Sequence, residues 1–487
     1  METDKDPFPL TTATIAARMN RLPITRQHRM ATVLIGLGLF FDIYEIFLAG
    51  VLGSVLGKDF HLSKSSLTLL LSSAFVGMFI GALTLGRLAD RFGRRRIFLI
   101  SLGAYSVFSL LGAFSVGPVM LVAARFLAGI GIGAEPPVSD TYLSDLLPPR
   151  LRGRYTAWAY TLSFLGVPAA GFLGHWLVPI TPFGVAGWRW MFVIGAFGAV
   201  IVFLLRTKLP ESPRWLEAVG RTDEAEAVVE RFEQQARAAG AELPTPTAEQ
   251  GTPAETGRLR NLFVPPYRRR TLMMAVFHML QTWGYYGFGT LAPIVLIAKG
   301  YPIVESLLFS AVTFIGYPVG AAISVPIVER IERKYLVVFS VLGMAAFGLA
   351  FGYSTTTWVI VVCGSVYTAI SNLFSNAFHI YQAEIFPTQL RATAASGTYS
   401  LSRLSSALMP FILLPLLHNS GAGALFAVVA AALIIVALDI GLFGPCATGR
   451  PLEAVNAALS ELPISPTRHL WASGLEQRNN DPSRTKS

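Results

Sequence analysis

The feature that constrains this chain most is a succession of twelve apolar runs, most of them about 20 residues long. A helix of that length crosses the roughly 30 Å hydrocarbon core of a bilayer. Only 14% of the residues are charged and 53% are hydrophobic, whereas a soluble protein typically carries about 25% charged residues. We therefore predict an all-α membrane protein with twelve transmembrane helices. The runs cover residues 30–55, 66–88, 97–115, 118–141, 155–178, 189–206, 270–296, 303–328, 335–353, 357–380, 392–417 and 421–443.

The runs fall into two sets of six, separated by a long polar stretch. This division predicts an N-terminal six-helix half at 30–206 and a C-terminal half at 270–443. The polar segments at 1–29, 207–269 and 444–487 are then an N-terminal segment, a central loop and a tail. Helical periodicity in TDEAEAVVERFEQQARAA predicts a surface helix within the central loop. The N-terminal segment lacks a short apolar region with a cleavage site, so we expect no removable signal peptide.

Basic residues lie mainly on one side of the predicted bundle. The net charge is +10, and arginines cluster before spans 1 and 7 and after spans 2, 4, 6 and 8. Alternating basic loops follow the positive-inside rule. We therefore place both termini and the central loop in the cytosol, with the protein in a plasma (inner) membrane. The same distribution makes the lipid bilayer the expected partner and argues against nucleic acid.

The two halves share an internal repeat with a constant spacing. Tyr142 and Tyr381 are 239 positions apart, and Asp145 and Glu384 have the same separation. Glycines of spans 2 and 8 match at this spacing too. A general likeness of basic loops would not explain matching tyrosine, acid and glycine positions. Parallel halves of this kind place a solute site between them, near the middle of the membrane.

Six segments resemble motifs of the major facilitator superfamily. The first is similar to the superfamily signature, the next four resemble sugar porters, and the last resembles the metabolite:proton symporters. That group includes nicotinate and aromatic-acid transporters and relatives of synaptic vesicle protein 2. The resemblance implies the major facilitator fold, in which two six-helix bundles rock about a central cavity. The segments are GRLADRFGRRR at 86–96, RFLAGIGIGAEPP at 125–137, PRLRGR at 149–154, GWRWMF at 187–192, PESPRWL at 210–216 and YQAEIFPTQLRATAASG at 381–397.

The charged motifs after spans 2, 4 and 10 predict a gate on the cytosolic side. The resemblance implies that these contacts join the two halves and stabilise the outward-open state. The alternative is that the charges only orient the protein in the membrane. We expect Glu135 to join the gate network through Arg152 and Arg154. The predicted gate residues are Gly86, Asp90, Arg91, Gly93, Arg94, Glu135, Asp145, Arg152, Glu384 and Arg391.

Ionisable residues inside spans are costly and mark functional sites. Asp42 and Glu45 lie on one face of span 1. Asp42 is about 18 Å into the membrane at 1.5 Å per residue, and Arg125 of span 4 reaches a similar depth. A buried acid and a guanidinium are expected to pair, so we predict an Asp42–Arg125 pair that acts as a proton switch, as the sugar-porter resemblance also implies. Glu45 is the alternative or second proton carrier, and a static ion pair is the alternative to proton coupling.

Arg403 is the strongest indication of the solute class. It lies about 18 Å into span 11, without an acidic residue in that span, so it can bind a carboxylate through two parallel hydrogen bonds. The alternatives are a pair with an acid of another span and a helix-end contact. The span 7 run QTWGYYGFG offers polar groups and aromatic surface to a small organic acid. The predicted substrate-binding residues are Arg403, Gln281, Trp283, Tyr285, Tyr286 and Tyr44.

These features predict a proton-coupled importer of a small organic solute, preferably a carboxylate such as nicotinate or a benzoate. The alternatives are a proton-driven exporter or drug antiporter, a sugar or polyol symporter, and a sensor that binds a solute without moving it. The expected partners are the solute, protons and the bilayer, and the expected state is a monomer. We find no metal-ligand spacing, phosphate loop or catalytic constellation, and so expect no metal, no cofactor and no enzymatic activity.

Overall fold

The structure is a computed structural model that describes residues 14–246, 262–263, 265, 267–328, 330–386 and 388–448. Within helices it describes the backbone but not the side chains of residues 86–87, 383 and 388–396. The regular structure in the described part of the chain consists of helices, without a β-strand.

The bundle consists of twelve spans, as predicted. Among the described residues, ten helical stretches have the length and hydropathy to cross a membrane. The helix Arg268–Ala298 is the seventh span. The helix Thr388–Phe443 bends at Gly421, where φ is 82°, and supplies spans 11 and 12. Spans 1 to 12 are Arg26–Asp59, Lys64–Phe92, Arg94–Ala113, Pro118–Leu146, Pro149–Leu177, Gly187–Arg206, Arg268–Ala298, Ile303–Val328, Arg333–Tyr353, Thr357–Glu384 and the two parts of Thr388–Phe443.

Several spans are longer than the apolar runs because the helices continue through flanking polar residues. Span 1 begins at Arg26 rather than at 30, since Thr25 and His28 form a capping box at its start. Such a box satisfies two backbone N–H groups that the first turn leaves free. Span 5 begins at Pro149 rather than at 155. The fixed φ angle of proline suits the first helical position, and its missing N–H group has no hydrogen bond to make there.

Glycines set the close packing within each half, and the repeat reproduces this packing. A Cβ atom at Gly81 of span 2 would lie 2.0 Å from the carbonyl oxygen of Ile130 in span 4. A Cβ atom at Gly320 of span 8 would lie 2.0 Å from the carbonyl oxygen of Ala369 in span 10. Both members of the second pair follow those of the first by 239 positions. The two halves therefore use one packing scheme, in which small residues let backbones approach.

The halves contact each other closely on one side of the membrane. We call the face that holds the helix Ile15–Asn20 the terminal face and the opposite one the far face. Towards the far face, a Cβ atom at Gly50 of span 1 would lie 2.3 Å from the carbonyl oxygen of Thr290 in span 7. A Cβ atom at Gly171 of span 5 would lie 2.7 Å from the Cα atom of Ala311 in span 8. Backbone contacts between the halves therefore close the far face.

Short helices cover the terminal face of the N-terminal half, and one of them confirms the predicted surface helix. Glu233 on that helix accepts hydrogen bonds from Arg18 at 3.1 Å and from Arg21 at 2.7 Å. We call these three residues the N-terminal clasp. Burial opposes ionisation of Glu233, but the two arginines hold the pKa of its carboxyl below the ordinary value. The short helices are Ile15–Asn20, Pro213–Ala218 and Thr222–Ala238.

Candidate solute and proton site

A buried ion pair inside the N-terminal half joins Arg125 to Glu45. The Nη1 atom of Arg125 lies 2.9 Å from Oε1 of Glu45, and its Nη2 atom donates to the Glu45 carbonyl at 3.1 Å. Ser109 of span 3 donates to the other carboxylate oxygen at 3.0 Å. The predicted pairing of Arg125 with Asp42 is therefore wrong. Both acids lie on span 1, but Glu45 is the one that faces Arg125.

Asp42 occupies a separate environment, although it lies less than one turn from Glu45. Its side chain is buried, and its Oδ2 atom has no hydrogen-bond partner. It interacts electrostatically with Glu135, Arg206 and Glu45 in its own half, and with Arg403 of the other half. Asp42 therefore lies where charges from both halves meet. An acid so placed can bind and release a proton, since burial penalises its charged form and nearby arginines favour it.

Glu135 also has a different partner from the one predicted. Its Oε1 atom accepts a hydrogen bond from Arg206 at the end of span 6, and both side chains are 1% exposed. Arg206 also donates to the carbonyls of Leu34 and Ile35 in span 1, each at 3.1 Å. The expected contacts of Glu135 with the arginines after span 4 are therefore wrong. The pair connects spans 1, 4 and 6 inside the half.

Arg403 lies in a cage of tyrosines in the C-terminal half. It donates to the hydroxyl of Tyr286 at 2.7 Å and to that of Tyr399 at 2.8 Å. The guanidinium carbon is 5.1 Å from the centroid of each of these two rings. Its Nε atom is buried without a partner. Among the described residues, no carboxylate lies within ion-pair distance of Arg403, so its charge is held by hydroxyls and ring faces alone.

The other predicted substrate-binding residues divide into two groups. Gln281 is buried and its Oε1 atom has no hydrogen-bond partner; it is the repeat counterpart of Asp42, 239 positions later. Both positions thus present an unsatisfied buried oxygen, which is a feature of binding sites. By contrast, Trp283, Tyr285 and Tyr44 use their polar atoms for internal contacts. These are hydrogen bonds to Ser405 at 3.1 Å, to Asn372 at 3.4 Å and to the Met191 carbonyl at 2.9 Å respectively.

The interface between the halves carries polar groups towards the terminal face. Asp140 of span 4 is exposed and accepts a hydrogen bond from Tyr160 of span 5 at 2.8 Å. The ring of Tyr160 faces that of His379 in span 10, with 6.4 Å between centroids and 24° between planes. An exposed carboxylate beside this contact between the halves indicates that the terminal side of the interface is open to solvent. The halves thus contact each other closely at the far face, whereas Asp140 is exposed on the terminal side of their interface.

Three of the predicted gate residues of the N-terminal half, Asp90, Arg94 and Asp145, lie together at the terminal face. Arg94 lies 3.5 Å from Asp145 and 3.3 Å from Asp90. Asp145 also accepts a hydrogen bond from Ser212 at 2.6 Å. The side chain of Asp90 is 76% exposed. These contacts involve only the N-terminal half and the start of the central loop, so in this arrangement they do not join the two halves.

Gly93 marks the turn between spans 2 and 3. Its φ is +100°, and a Cβ atom there would lie 2.4 Å from Oε2 of Glu211. Glu211 accepts a hydrogen bond from the backbone N–H of Arg95 at 3.1 Å, at the start of span 3. Trp215 donates to the Asp90 carbonyl at 2.7 Å. Both residues belong to the PESPRWL segment, so this motif holds the gate turn in place.

The remaining gate residues make other contacts. Arg152 donates to the Leu147 carbonyl at 3.4 Å, and the guanidinium of Arg91 lies over Phe92. In the C-terminal half, Glu384 pairs with Arg333 at 2.9 Å. The predictions for Gly86 and for the Arg391 side chain fall outside what the structure describes.

Comparison with known proteins identifies the family. A family model described as "Sugar (and other) transporter" matches residues 30–459. The chain belongs to this family. The putative metabolite transport protein YyaJ of Bacillus subtilis is 29% identical over 82% of this chain and 88% of its own length. The niacin transporter NiaP of Acinetobacter baylyi is 28% identical over 91% of this chain and 99% of its own.

A solved structure of the xylose transporter XylE from E. coli, in a partially occluded inward-open conformation, matches with a TM-score of 0.71. It is 21% identical and covers 87% of this chain and 99% of its own. XylE is a member of the major facilitator superfamily, so the predicted fold is confirmed. The protein is a multi-pass membrane transporter of the sugar (and other) transporter family and not an enzyme.

Proposed function

We propose that this transporter imports a small organic carboxylate together with protons. The observation that carries the proposal is Arg403, a buried guanidinium at the interface between the halves that is held by tyrosine hydroxyls. A cation so placed binds an incoming carboxylate with charge-assisted hydrogen bonds, which are stronger than those to a neutral solute. The aromatic rings around it suit a planar acid. The name of the niacin transporter NiaP, a pyridine carboxylate carrier, supports the same solute class.

The arrangement also provides a physical basis for coupling. Arg403 contributes positive potential at Asp42 across the interface. A carboxylate bound to Arg403 cancels that potential, so uptake of a proton near Asp42 becomes more favourable. By linkage, a proton bound there strengthens the binding of the anion by the same factor. Solute and proton are then carried together, and we take both termini to be cytosolic because the arginine-rich loops lie on their side.

Uptake into proteoliposomes tests this proposal. We would measure labelled nicotinate, benzoate and xylose, with and without an inward proton gradient, after a thermal-shift screen of organic acids, sugars and amines. A proton gradient should drive accumulation of a carboxylate. Accumulation driven by an outward gradient would instead indicate an exporter, and accumulation of xylose alone would indicate a sugar symporter.

Arg403→Gln tests the binding role of the guanidinium. Loss of one partner of a buried charged hydrogen bond costs about 2 kcal/mol or more, so apparent carboxylate affinity should fall about 30-fold or more. Arg189→Gln is the matched control, because Arg189 donates to the Ala113 carbonyl towards the far face and should not affect affinity. An equal loss for carboxylates and for neutral solutes would contradict the proposal.

A further inference from the structure

Among the described side chains of the N-terminal half, buried acids outnumber buried cations. The acids are Asp42, Glu45 and Glu135, and the cations are Arg125 and Arg206; each is 2% exposed or less. Glu45 and Arg125 satisfy each other. Asp42 and Glu135 are left with one guanidinium between them, that of Arg206. Two carboxylates beside a single cation in a low-dielectric site do not both ionise readily.

A notch in span 1 brings Arg206 to the face that carries Asp42. A Cβ atom at Gly38 would lie 1.9 Å from the Nη2 atom of Arg206, so a larger residue there would displace the guanidinium from this position. Asp42 follows Gly38 by four residues and therefore lies one turn along on the same face. Helical side chains lean towards the N-terminus of their helix, which directs the Asp42 carboxylate back towards the notch.

Each acid also has a free oxygen. Glu135 uses Oε1 for Arg206, and its Oε2 atom is buried without a partner; the same holds for Oδ2 of Asp42. We propose that Asp42 and Glu135 share Arg206 and one proton. The other charged groups that act on Asp42 are Glu45, which Arg125 holds, and Arg403 across the interface.

The sharing implies a relay, which rests on the proton coupling proposed above. With the proton on Asp42, Arg206 pairs with Glu135, as in this structure. When the proton leaves Asp42 and binds Glu135, Arg206 pairs with Asp42. At 1.5 Å per residue, Glu135 lies about 17 Å from the end of span 4 at the terminal face. Asp42 lies about 24 Å from the start of span 1 at the same face. The exchange thus moves a proton towards the terminal face, with one proton and one guanidinium conserved at each step.

Infrared spectroscopy of the full-length protein in nanodiscs tests the sharing without any solute. A protonated buried carboxylic acid has a C=O stretching band that shifts in deuterated water. We expect this band at neutral pH in the wild type. Asp42→Asn removes it, because Glu135 then has Arg206 to itself and stays ionised. Glu135→Gln removes it as well, because Arg206 then pairs with Asp42. Loss of the band in both single variants is the signature of a shared proton.

A static alternative gives different results. If Glu135 and Arg206 form a fixed pair and Asp42 holds its proton independently, Glu135→Gln leaves the band unchanged; this result would overturn the proposal. Glu135→Gln combined with Arg206→Met removes both partners of the ion pair, which proteins often tolerate. Asp42 then has no local cation and keeps its proton, so the band returns. Its absence in a folded double variant would also overturn the proposal.

Two further measurements complete the test. Asp140→Asn is the matched control, since Asp140 lies on the same span as Glu135 but is exposed, and the band should persist. Glu135→Gln should also lose gradient-driven accumulation while retaining solute exchange. The infrared result does not depend on the identity of the solute. Failure of every carboxylate in the uptake assay would therefore contradict the proposed function and leave the shared proton intact.

Discussion

The Glu45–Arg125 pair leads to a stability prediction that depends on which partner is removed. Arg125 donates to a carboxylate oxygen and to the backbone carbonyl of Glu45, and Ser109 donates to the second carboxylate oxygen. Both charged side chains are 1% exposed, so water does not replace a lost partner. Removing one member of a buried pair leaves an uncompensated charge and costs about 3–5 kcal/mol.

The two single variants differ because only one of the remaining groups can neutralise itself. Arg125→Met leaves Glu45, which can bind a proton. Glu45→Gln leaves a guanidinium, which cannot lose its proton in a protein. We therefore expect the full cost for Glu45→Gln at acidic and neutral pH alike. The cost of Arg125→Met should shrink as the pH falls, and the double variant should be close to the wild type.

Reversible unfolding in mixed detergent micelles, followed by circular dichroism, measures these free energies. Ser109→Ala is the control for loss of a hydrogen bond without loss of charge and should cost about 1.5–3 kcal/mol. Equal losses for the two single variants at both pH values would refute the reasoning. A double variant as unstable as the worse single variant would refute it too, because packing rather than charge would then determine the stability.

Two further predictions concern packing and the terminal face. Gly81→Leu should prevent folding, because the new side chain meets a backbone carbonyl, whereas Gly103→Ala should be tolerated, since the nearest neighbour of its Cβ atom would be 3.7 Å away. Size-exclusion chromatography distinguishes a folded variant from an aggregated one. A well-folded Gly81→Leu variant would contradict the packing described here. Glu233→Gln should release the N-terminal clasp and raise the mobility of a spin label on the N-terminal helix, whereas Glu230→Gln should not. Since the folded pKa of Glu233 lies below its ordinary value of 4.5, the clasp should be fully stabilised above pH 4.5 and should loosen as the pH falls through the lower folded value; mobility that does not change with pH would contradict this.

Much of the fold can be predicted from the sequence because the bilayer limits the possible structures. Every backbone polar group in lipid must be satisfied within its own segment, so an apolar run of sufficient length becomes a helix. The 239-residue repeat then relates the two halves, and the glycines of spans 2 and 8 pack identically, as their matching positions predict. The bend at Gly421 separates spans 11 and 12 at the point where the apolar runs divide.

The partners of the buried charges could not be predicted in the same way. A count of residues along a span gives depth but not the direction in which a side chain points. Asp42 and Glu45 differ by only about 4.5 Å in depth and about 60° around the helix. Either acid therefore fits Arg125 by depth, and the rotation of span 1 in the bundle decides between them. That rotation is set by packing against several spans together.

Two residues of the candidate site were not predicted, although the sequence held a signal for each. Arg206 lies at the end of an apolar run, where an arginine is ordinarily taken as a signal of membrane orientation. The signal was Gly38, one turn before Asp42 on the same face, which leaves space for a side chain from another span. Tyr399 precedes Arg403 by four residues and so lies on the same face of span 11. A tyrosine one turn from a buried arginine is a natural hydrogen-bond partner.

In the coupling proposed above, the two halves of the repeat need unlike chemistry. Arg125 corresponds to Gly364 and Arg403 corresponds to Phe164, each 239 positions away. The duplicated scaffold thus keeps its packing glycines, but among the described side chains the fully buried acids of the spans lie in one half, and Arg403, which has no acid partner, lies in the other. An acid and a solute-binding cation in the same half would move together and keep their interaction throughout the cycle. When they lie on opposite halves, rocking changes the distance between them, and the energy of binding the anion can alter the binding of the proton.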